Sequence, residues 1–452
     1  MKKIYTLFCM GILLLASCEE LVEVDAPNNQ IGTTQVFNDL KTANSALSGL
    51  YASLRDRSVI SGDNGIGTLL GTYTDDLDFC QTDQNRYTDI YLNQQQESNT
   101  AILDLWGYAY QQIYQANSII YGTEHSTVLS DNDKNRIKSE ALFVRSLNYF
   151  YLQQLFDEIP YTNSLDYEYN RNLSKTGPSA LLEQLESDLT EAISLLTDNY
   201  RDAERIYPNR KAAELLLARI YLQQGKWALA EQLAETILQS PLYQFQTNIN
   251  EVFHKSGTHI LWQLKPQNSG NATKEAEIYY STSSPNIYAI TQDLVDSFED
   301  VDLRKQSWIT RITYNGNTWY RMDKYKNRSG SNTNEYSVIL RLEEVYFILA
   351  EALAKQNRYS EALPYLNATR VRAGLTAYTS LSGENFSNEL LAEKRREFFT
   401  EFGHRFIDLK RWNKLSVLSA VKSNWADYKK SWPLPQSELL LNPNLYPQNT
   451  GY

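Results

Sequence analysis

The chain has 452 residues, 42% of them hydrophobic, with a formal net charge of −11 at pH 7. That apolar content at that length excludes global disorder, and an acidic surface without a compact basic patch excludes a nucleic-acid backbone as partner. Aromatic residues make up 12%, including 32 tyrosines and 8 tryptophans; their flat faces and polar tips suit wet recognition surfaces, though most are expected in helix–helix seams.

The first 17 residues, MKKIYTLFCMGILLLAS, run from two lysines through an apolar middle to small residues, the layout of a secretory signal peptide. The apolar run from Ile4 to Ala16 is shorter than the roughly 20 residues of a membrane-spanning helix. Cys18 follows Leu-Leu-Ala-Ser, which resembles the lipobox of bacterial lipoproteins. The resemblance implies cleavage before Cys18, lipidation of its thiol and acylation of the new N-terminus, enough acyl chain for stable anchoring. The alternative is an ordinary signal peptide whose cysteine is incidental. Cys9 leaves with the signal, so Cys80 stands alone, without an internal disulfide partner, and is expected as a small buried hydrophobe. Residues 18–34 read as a polar tether, and 35–452 as one domain.

VFNDLKTANSALSGLYASLRD, ending near Arg57, has the period of an amphipathic helix. Residues 58–100 are rich in Gly, Asp, Gln and Asn and read as loops and short turns. Helical periodicity returns in WGYAYQQIYQANSIIYG, KNRIKSEALFVRSLNYFYLQQLF and ALLEQLESDLTEAISLLTD. In AAELLLARIYLQQGKWALAEQLAETILQSP, residues 212–241, Leu217, Ala218, Tyr221, Gly225, Trp227, Ala230 and Pro241 fall almost where a tetratricopeptide repeat places its packing residues. Small residues let paired helices approach, aromatics fill the groove, and Gly or Asn takes the turn. The pattern recurs in Leu349, Ala350, Leu353, Asn357, Tyr359 and Ala362, so repeat-like units are expected around 133–241 and 338–372. More than a hundred residues separate the two clear copies, which excludes a simple tandem solenoid.

Between them, around 242–335, THILWQLK has strand-like character, with Trp262 expected in the core. SWITRITYNGNTWYRMDKYK alternates around Asn315-Gly316, the strongest short hairpin signal. The predicted fold class is therefore mainly α with minor β: helical hairpins supporting a loop-rich half with a few short strands. Segments 58–100 and 242–335 form the candidate recognition face.

EKRREFFTEFGHRFIDLKRW, residues 393–412, predicts a helix whose Arg395, Arg396, Glu397 and Glu401 pair at three- and four-residue spacing, ended or bent at Gly403. The proline- and asparagine-rich tail predicts an extended, turning segment wrapped over the body. These two blocks resemble the SusD/RagB family of outer-membrane lipoproteins. Glu393, Glu397, Gly403, His404, Arg405, Asp408, Leu409, Arg411 and Trp412 match the first part of the family's C-terminal signature. Pro433, Pro435, Glu438, Asn442, Pro443, Asn444, Gln448, Asn449, Gly451 and Tyr452 match the second. Phe402 departs from it, standing between Glu401 and Gly403 where many members run Glu-Gly directly. The resemblance implies four tetratricopeptide-like helical pairs, a location on the outer membrane, and a SusC-like TonB-dependent transporter that the lipoprotein covers as a hinged lid.

No catalysis is expected: TDDLD, residues 74–78, is the one carboxylate cluster that could suggest glycoside hydrolysis, a chemistry decided by the distance between carboxylates. His125 stands alone, and His404 belongs to the signature, where an orienting role is expected. His254 and His259 lack a zinc pattern, so no cofactor or metal is expected. Binding needs less: aromatic rings for the C–H faces of sugars, and polar side chains for their hydroxyls. The candidate ligand residues are Trp319 and Tyr320 on the NG hairpin, Trp308 on its other arm, and Tyr73, Asp75 and Asp76 in the first loop region. The expected function is cell-surface binding of an oligosaccharide. The alternatives are an oligopeptide, which QTDQNRYTDIYLNQQQ would suit, and a tetratricopeptide scaffold with no small ligand.

Overall fold

In the computed structural model, residues 33–452 are described; the signal sequence, Cys18 and nearly all of the tether lie outside the described residues. The main helices are α1 (Leu40–Asp56), α2 (Ile66–Tyr73), α3 (Thr100–His125), α4 (Asp131–Phe156), α5 (Pro178–Leu195), α6 (Arg210–Gln224) and α7 (Trp227–Leu238). They continue as α8 (Leu342–Lys355), α9 (Tyr359–Arg372), α10 (Gly383–Phe398) and α11 (His404–Arg411). The strands are β1 (Leu77–Phe79), β2 (Ile260–Leu264), β3 (Tyr288–Ile290), β4 (Ile309–Tyr314), β5 (Asn317–Met322) and β6 (Ser337–Arg341). The fold is mainly α with minor β, as the sequence predicts.

Helices α3 to α9 stack each on the one before. The repeat spacing explains the close approach: Ala218, Ala230, Ala350 and Ala362 are fully buried between their helices. Gly225 closes α6 in the left-handed region at φ +70°, and Asn357 takes the equivalent turn between α8 and α9 at φ +62°, a conformation that only Gly and Asn adopt at low cost. Helix α8 packs directly on α7, so the array is continuous in space and the residues between them are looped out as an insertion. Its neck is closed by β2 and β6, paired antiparallel and buried along their whole length. Trp262 is in the core, as expected, its ring edge-on to Phe143 at 5.2 Å.

Several local expectations change. The first amphipathic segment breaks at Asp39, whose carboxylate accepts from Thr42 N and starts α1 afresh. Segment 58–100 is not all loop. IGTLLGTY forms α2, buried on every side, and a helix apolar all round shows no amphipathic period. The Cys80 thiol is half-buried rather than buried, and burial beside Asp78 pushes it up to about 12. Helix α10 stops at Phe398, before Gly403. Thr400 and Phe402 then turn through positive φ, and Gly403, at φ +68°, starts α11. The tail wraps the body: Trp432 N donates to Leu155 O, Gln436 N to Glu97 O, and Asn449 Nδ2 to Phe156 O. It also contains a short helix, Gln436–Leu441.

The charged residues of the C-terminal signature pair mainly across the fold. Arg396 keeps a local partner in Glu393 at 3.0 Å. Glu397 instead receives Arg341 at 2.6 Å, Arg372 at 2.5 Å and Arg304 at 3.4 Å. Glu401 pairs with Lys324 at 2.6 Å and with Arg341 at 3.0 Å. These groups lie where the large helical core meets a second hydrophobic core beneath β1, β3 and β5. His404 is stacked on Phe398 at 4.4 Å, and burial holds its imidazole neutral, well below its usual value.

Candidate ligand-binding face

Strand β1 from the first loop-rich segment pairs with β3 from the second, in a sheet of order β1-β3-β5-β4. The loops beyond that pairing stay together: Cys80 N donates to Ile287 O at 2.7 Å, and Gln81 Nε2 to Asn286 O at 3.4 Å. Two segments some 205 residues apart thus make one continuous face. Its outer half is the β4–β5 hairpin, turned by Asn315 at φ +49° and Gly316 at φ +79°, the backbone of a type I′ turn.

Alternation sorts the side chains of this sheet. Leu77, Phe79, Tyr288, Ile290 and Met322 point into the second core, and Tyr320 packs partly against it. Trp319 and Arg321 therefore fall on the other side, cross-strand from Ile312 and Thr310. All four are half-buried. The Arg321 guanidinium is fixed by both Asp323 oxygens and by Ser281 O at 2.6 Å. It lies 4.3 Å over the Tyr280 ring, with exposed Arg328 5.4 Å from the same ring. A flat indole beside a held guanidinium and a phenol offers an apolar platform and hydrogen-bond donors together.

Of the six residues chosen from sequence, the structure leaves two partly open. Trp319 is on the outer side of β5, and Tyr320 is on the inner side, at the rim of the second core. The other four choices are corrected. Tyr73 is fully buried at the end of α2, packed edge-on against Phe406, Trp425 and Trp432, with its hydroxyl donating to Lys429 O at 2.8 Å. Trp308 is 2% exposed and donates from its indole to Ile249 O at 3.1 Å. Asp75 accepts both arms of Arg405 at 2.9 and 2.8 Å, and Asp76 accepts Arg395 Nε at 2.9 Å. Burial pushes the Asp75 carboxyl up, but Arg405 and Arg395 outweigh it and hold the group below the usual carboxylate range. For Asp76 burial wins, and its carboxyl is raised. These two aspartates pin the end of α2 to α10 and α11, and Asp75 spends both of its oxygens on arginines. Arg321, Tyr280 and Arg328 lie on this face in addition to the sequence candidates. Arg321 was legible, because two residues beyond Trp319 is the same side of a strand; Tyr280 and Arg328 meet it only through the fold.

Among the described residues, no group of three or more His, Cys, Asp or Glu side chains is placed to hold a metal ion, and no helix is long and apolar enough to cross a membrane.

A stack of helical hairpins interrupted by an insertion that shares a sheet-bearing face with the first loop-rich segment defines a class of helical-repeat protein in which the repeats are scaffold. A family model described as "Starch-binding associating with outer membrane" matches residues 28–222, and the model of the SusD family matches residues 303–431. SusD-like protein P25 of Formosa agariphila is 24% identical over 520 residues, spanning 96% of this chain and 97% of its own. A SusD superfamily protein from Bacteroides vulgatus superposes with a TM-score of 0.81 at 22% identity, over 92% of this chain and 100% of that one. Surface glycan-binding protein A from Bacteroides thetaiotaomicron, in complex with laminarihexaose, superposes with a TM-score of 0.76 at 18% identity, over 90% and 99%. The chain belongs to the SusD/RagB family.

Proposed function

We propose that the protein is a cell-surface lipoprotein, anchored through Cys18 and the 18–34 tether to the outer membrane. Its single 35–452 body binds an oligosaccharide and delivers it, as a lid, to a SusC-like TonB-dependent transporter. It binds without catalysing. Family membership supports this reading, as does the laminarihexaose complex of a relative with the same fold. The observation that carries it is the Trp319 indole on the outer side of β5, next to the held Arg321 guanidinium and its Tyr280 ring.

The oligopeptide reading loses part of its sequence support. Three amides of the run that favoured it are engaged within the chain: Asn85 caps the Arg86–Tyr91 helix, Asn93 donates to Tyr73 O, and Gln95 donates to the hydroxyls of Tyr73 and Tyr452.

The test is affinity electrophoresis and calorimetry against a panel of neutral glycans that includes laminarin. Trp319→Ala is expected to weaken binding about thirty-fold, the roughly 2 kcal/mol of an anchoring aromatic, with an unchanged melting temperature. Normal binding with a lower melting temperature would make Trp319 a packing residue. Replacing Cys18 with alanine is expected to abolish lipid labelling and release the chain from the membrane fraction; retention there would refute the anchor.

A further inference from the structure

A roomy groove lies away from the sheet, along α3. Its volume is about 410 Å³, within the roughly 300–1,000 Å³ of small-molecule sites. Its floor is one face of α3. Trp106 and Tyr110 set their rings 4.8 Å apart, and Tyr114, one turn on, is 52% exposed. The opposite wall carries Tyr167, 71% exposed, with the Arg171 guanidinium 5.9 Å from its ring. Glu438 closes the third side; burial raises its carboxyl, against a hydrogen bond from the Trp106 indole.

Two features distinguish this groove from a chance depression. The first is Gly107, which lines the floor in the interior of a 26-residue helix. A glycine there costs about 1 kcal/mol relative to alanine. Packing does not require it, because a Cβ at this position meets nothing within 4 Å. Bare backbone is useful where a ligand must come close. The second is the rigidity of the walls. The loop carrying Tyr167 is held by Thr162 Oγ1 and Ser164 O, both bonded to the Asn170 side chain, at 2.7 and 3.0 Å. It is tied to the C-terminal turn by Asn442 Nδ2 to Leu173 O and by Asn444 Nδ2 to Asn172 O, both at 2.8 Å. Such preorganisation spares a ligand the entropy of ordering its site.

We infer that this groove is a second carbohydrate site, one that takes a neutral oligosaccharide lying along α3 across Gly107 between the Tyr114 and Tyr167 rings. The inference rests on the glycan reading above and adds to it a location and a ligand charge. Aromatic faces on two sides fit the C–H faces of sugar rings, and the hydroxyls meet Arg171 and Glu438. Arg171 is balanced by exposed Glu168 at 3.5 Å and Glu438 lies on the third side, so no net positive charge favours an anionic ligand. A peptide in extended form would need a free strand edge, and helix and turns make these walls. Helix α3 also links the groove to the first face, since Asp104 near its start pairs with Arg86 of the Arg86–Tyr91 helix after β1.

The experiment is calorimetry of the full chain against neutral hexaoses of gluco, manno, galacto and xylo configuration, using wild type and three variants. Gly107→Leu projects a side chain into the groove from a position where a Cβ meets nothing within 4 Å, and Tyr114→Ala removes an exposed ring; neither is expected to lower the melting temperature. Trp319→Ala reports on the sheet face. Wild type is expected to show two classes of site. Gly107→Leu and Tyr114→Ala should each weaken one class at least ten-fold while leaving the class that Trp319→Ala removes. Binding confined to one class, lost in Trp319→Ala and untouched by Gly107→Leu, would overturn the second site and leave the function standing. Loss of a protein partner rather than a sugar in Gly107→Leu would overturn it too. If wild type bound none of the hexaoses, the glycan reading and this one would fall together.

Discussion

Glu397→Ala is expected to cost about 3–5 kcal/mol of stability, the range for removing one partner of a buried ion pair. Against a typical total of roughly 5–15 kcal/mol, that is a large share. The carboxylate is 0% exposed and faces Arg341, Arg372 and Arg304. Without it, Arg341 keeps Glu343 and Glu401, Arg304 keeps Asp302 and Glu393, and Arg372 keeps Glu343, but the buried cluster is one negative charge short around three guanidiniums. Glu397→Gln, which keeps the volume, should cost nearly as much if charge rather than packing dominates. The urea midpoint followed by tryptophan fluorescence measures both, and a loss below about 1 kcal/mol would mean the arginines find other partners.

The same network contributes a loss of stability in acid. Burial pushes the carboxyls of Glu393 and Glu397 up, but the surrounding arginines outweigh it and hold both below the ordinary value of 4.5; Glu343 is lowered as well. Asp408 is lowered to about 2 by Lys394 and Arg411, also against burial. Their folded-state values lie below the unfolded ones, so the unfolded chain takes up protons first as pH falls. Their contribution is therefore complete above about pH 4.5 and drains away below it, the Asp408 part between about pH 4 and 2. Unfolding midpoints that held constant from pH 5 to 3 would contradict this.

Asp75→Ala is expected to cost about 2–3 kcal/mol, less than a fully buried pair, because the Arg405 side chain keeps 15% of its exposure and can draw on water. Arg395 retains Asp76 at 2.9 Å and Asp293 at 2.8 Å. Glycan affinity, measured on the fraction that remains folded, is expected to be unchanged, because both carboxylate oxygens are turned inward to Arg405. Scanning fluorimetry and calorimetry on one preparation separate the two effects. A ten-fold loss of affinity at wild-type stability would return Asp75 to the binding face.

Much of this molecule was legible from short-range pattern. The apolar period of α3 to α9, the turn at Gly225 and its counterpart at Asn357, the Asn315-Gly316 hairpin and the burial of Trp262 all follow from interactions within a few residues of chain. The two C-terminal blocks carried the family. The errors fell where a residue's environment is supplied by distant chain. Helix α2 is apolar all round because every side of it meets another element, so it had no period to read. Trp308 and Trp319 are both aromatic residues in the same alternating stretch, and no local rule separates them. Trp308 meets Phe253 and Phe399, brought from either direction along the chain, whereas Trp319 is left on the outer side of β5. The signature's glutamates look like members of local helix pairs, and one such pair forms. Burial raises the energy of an unpaired charge far above the few tenths of a kcal/mol that a local surface pair gains, so Glu397 takes its partners from wherever the fold delivers arginine. Local pattern is set by steric and hydrogen-bonding terms that act over one or two turns. Which charges meet, which aromatics are covered and which grooves stay open depend on the burial that assembly of the whole chain creates.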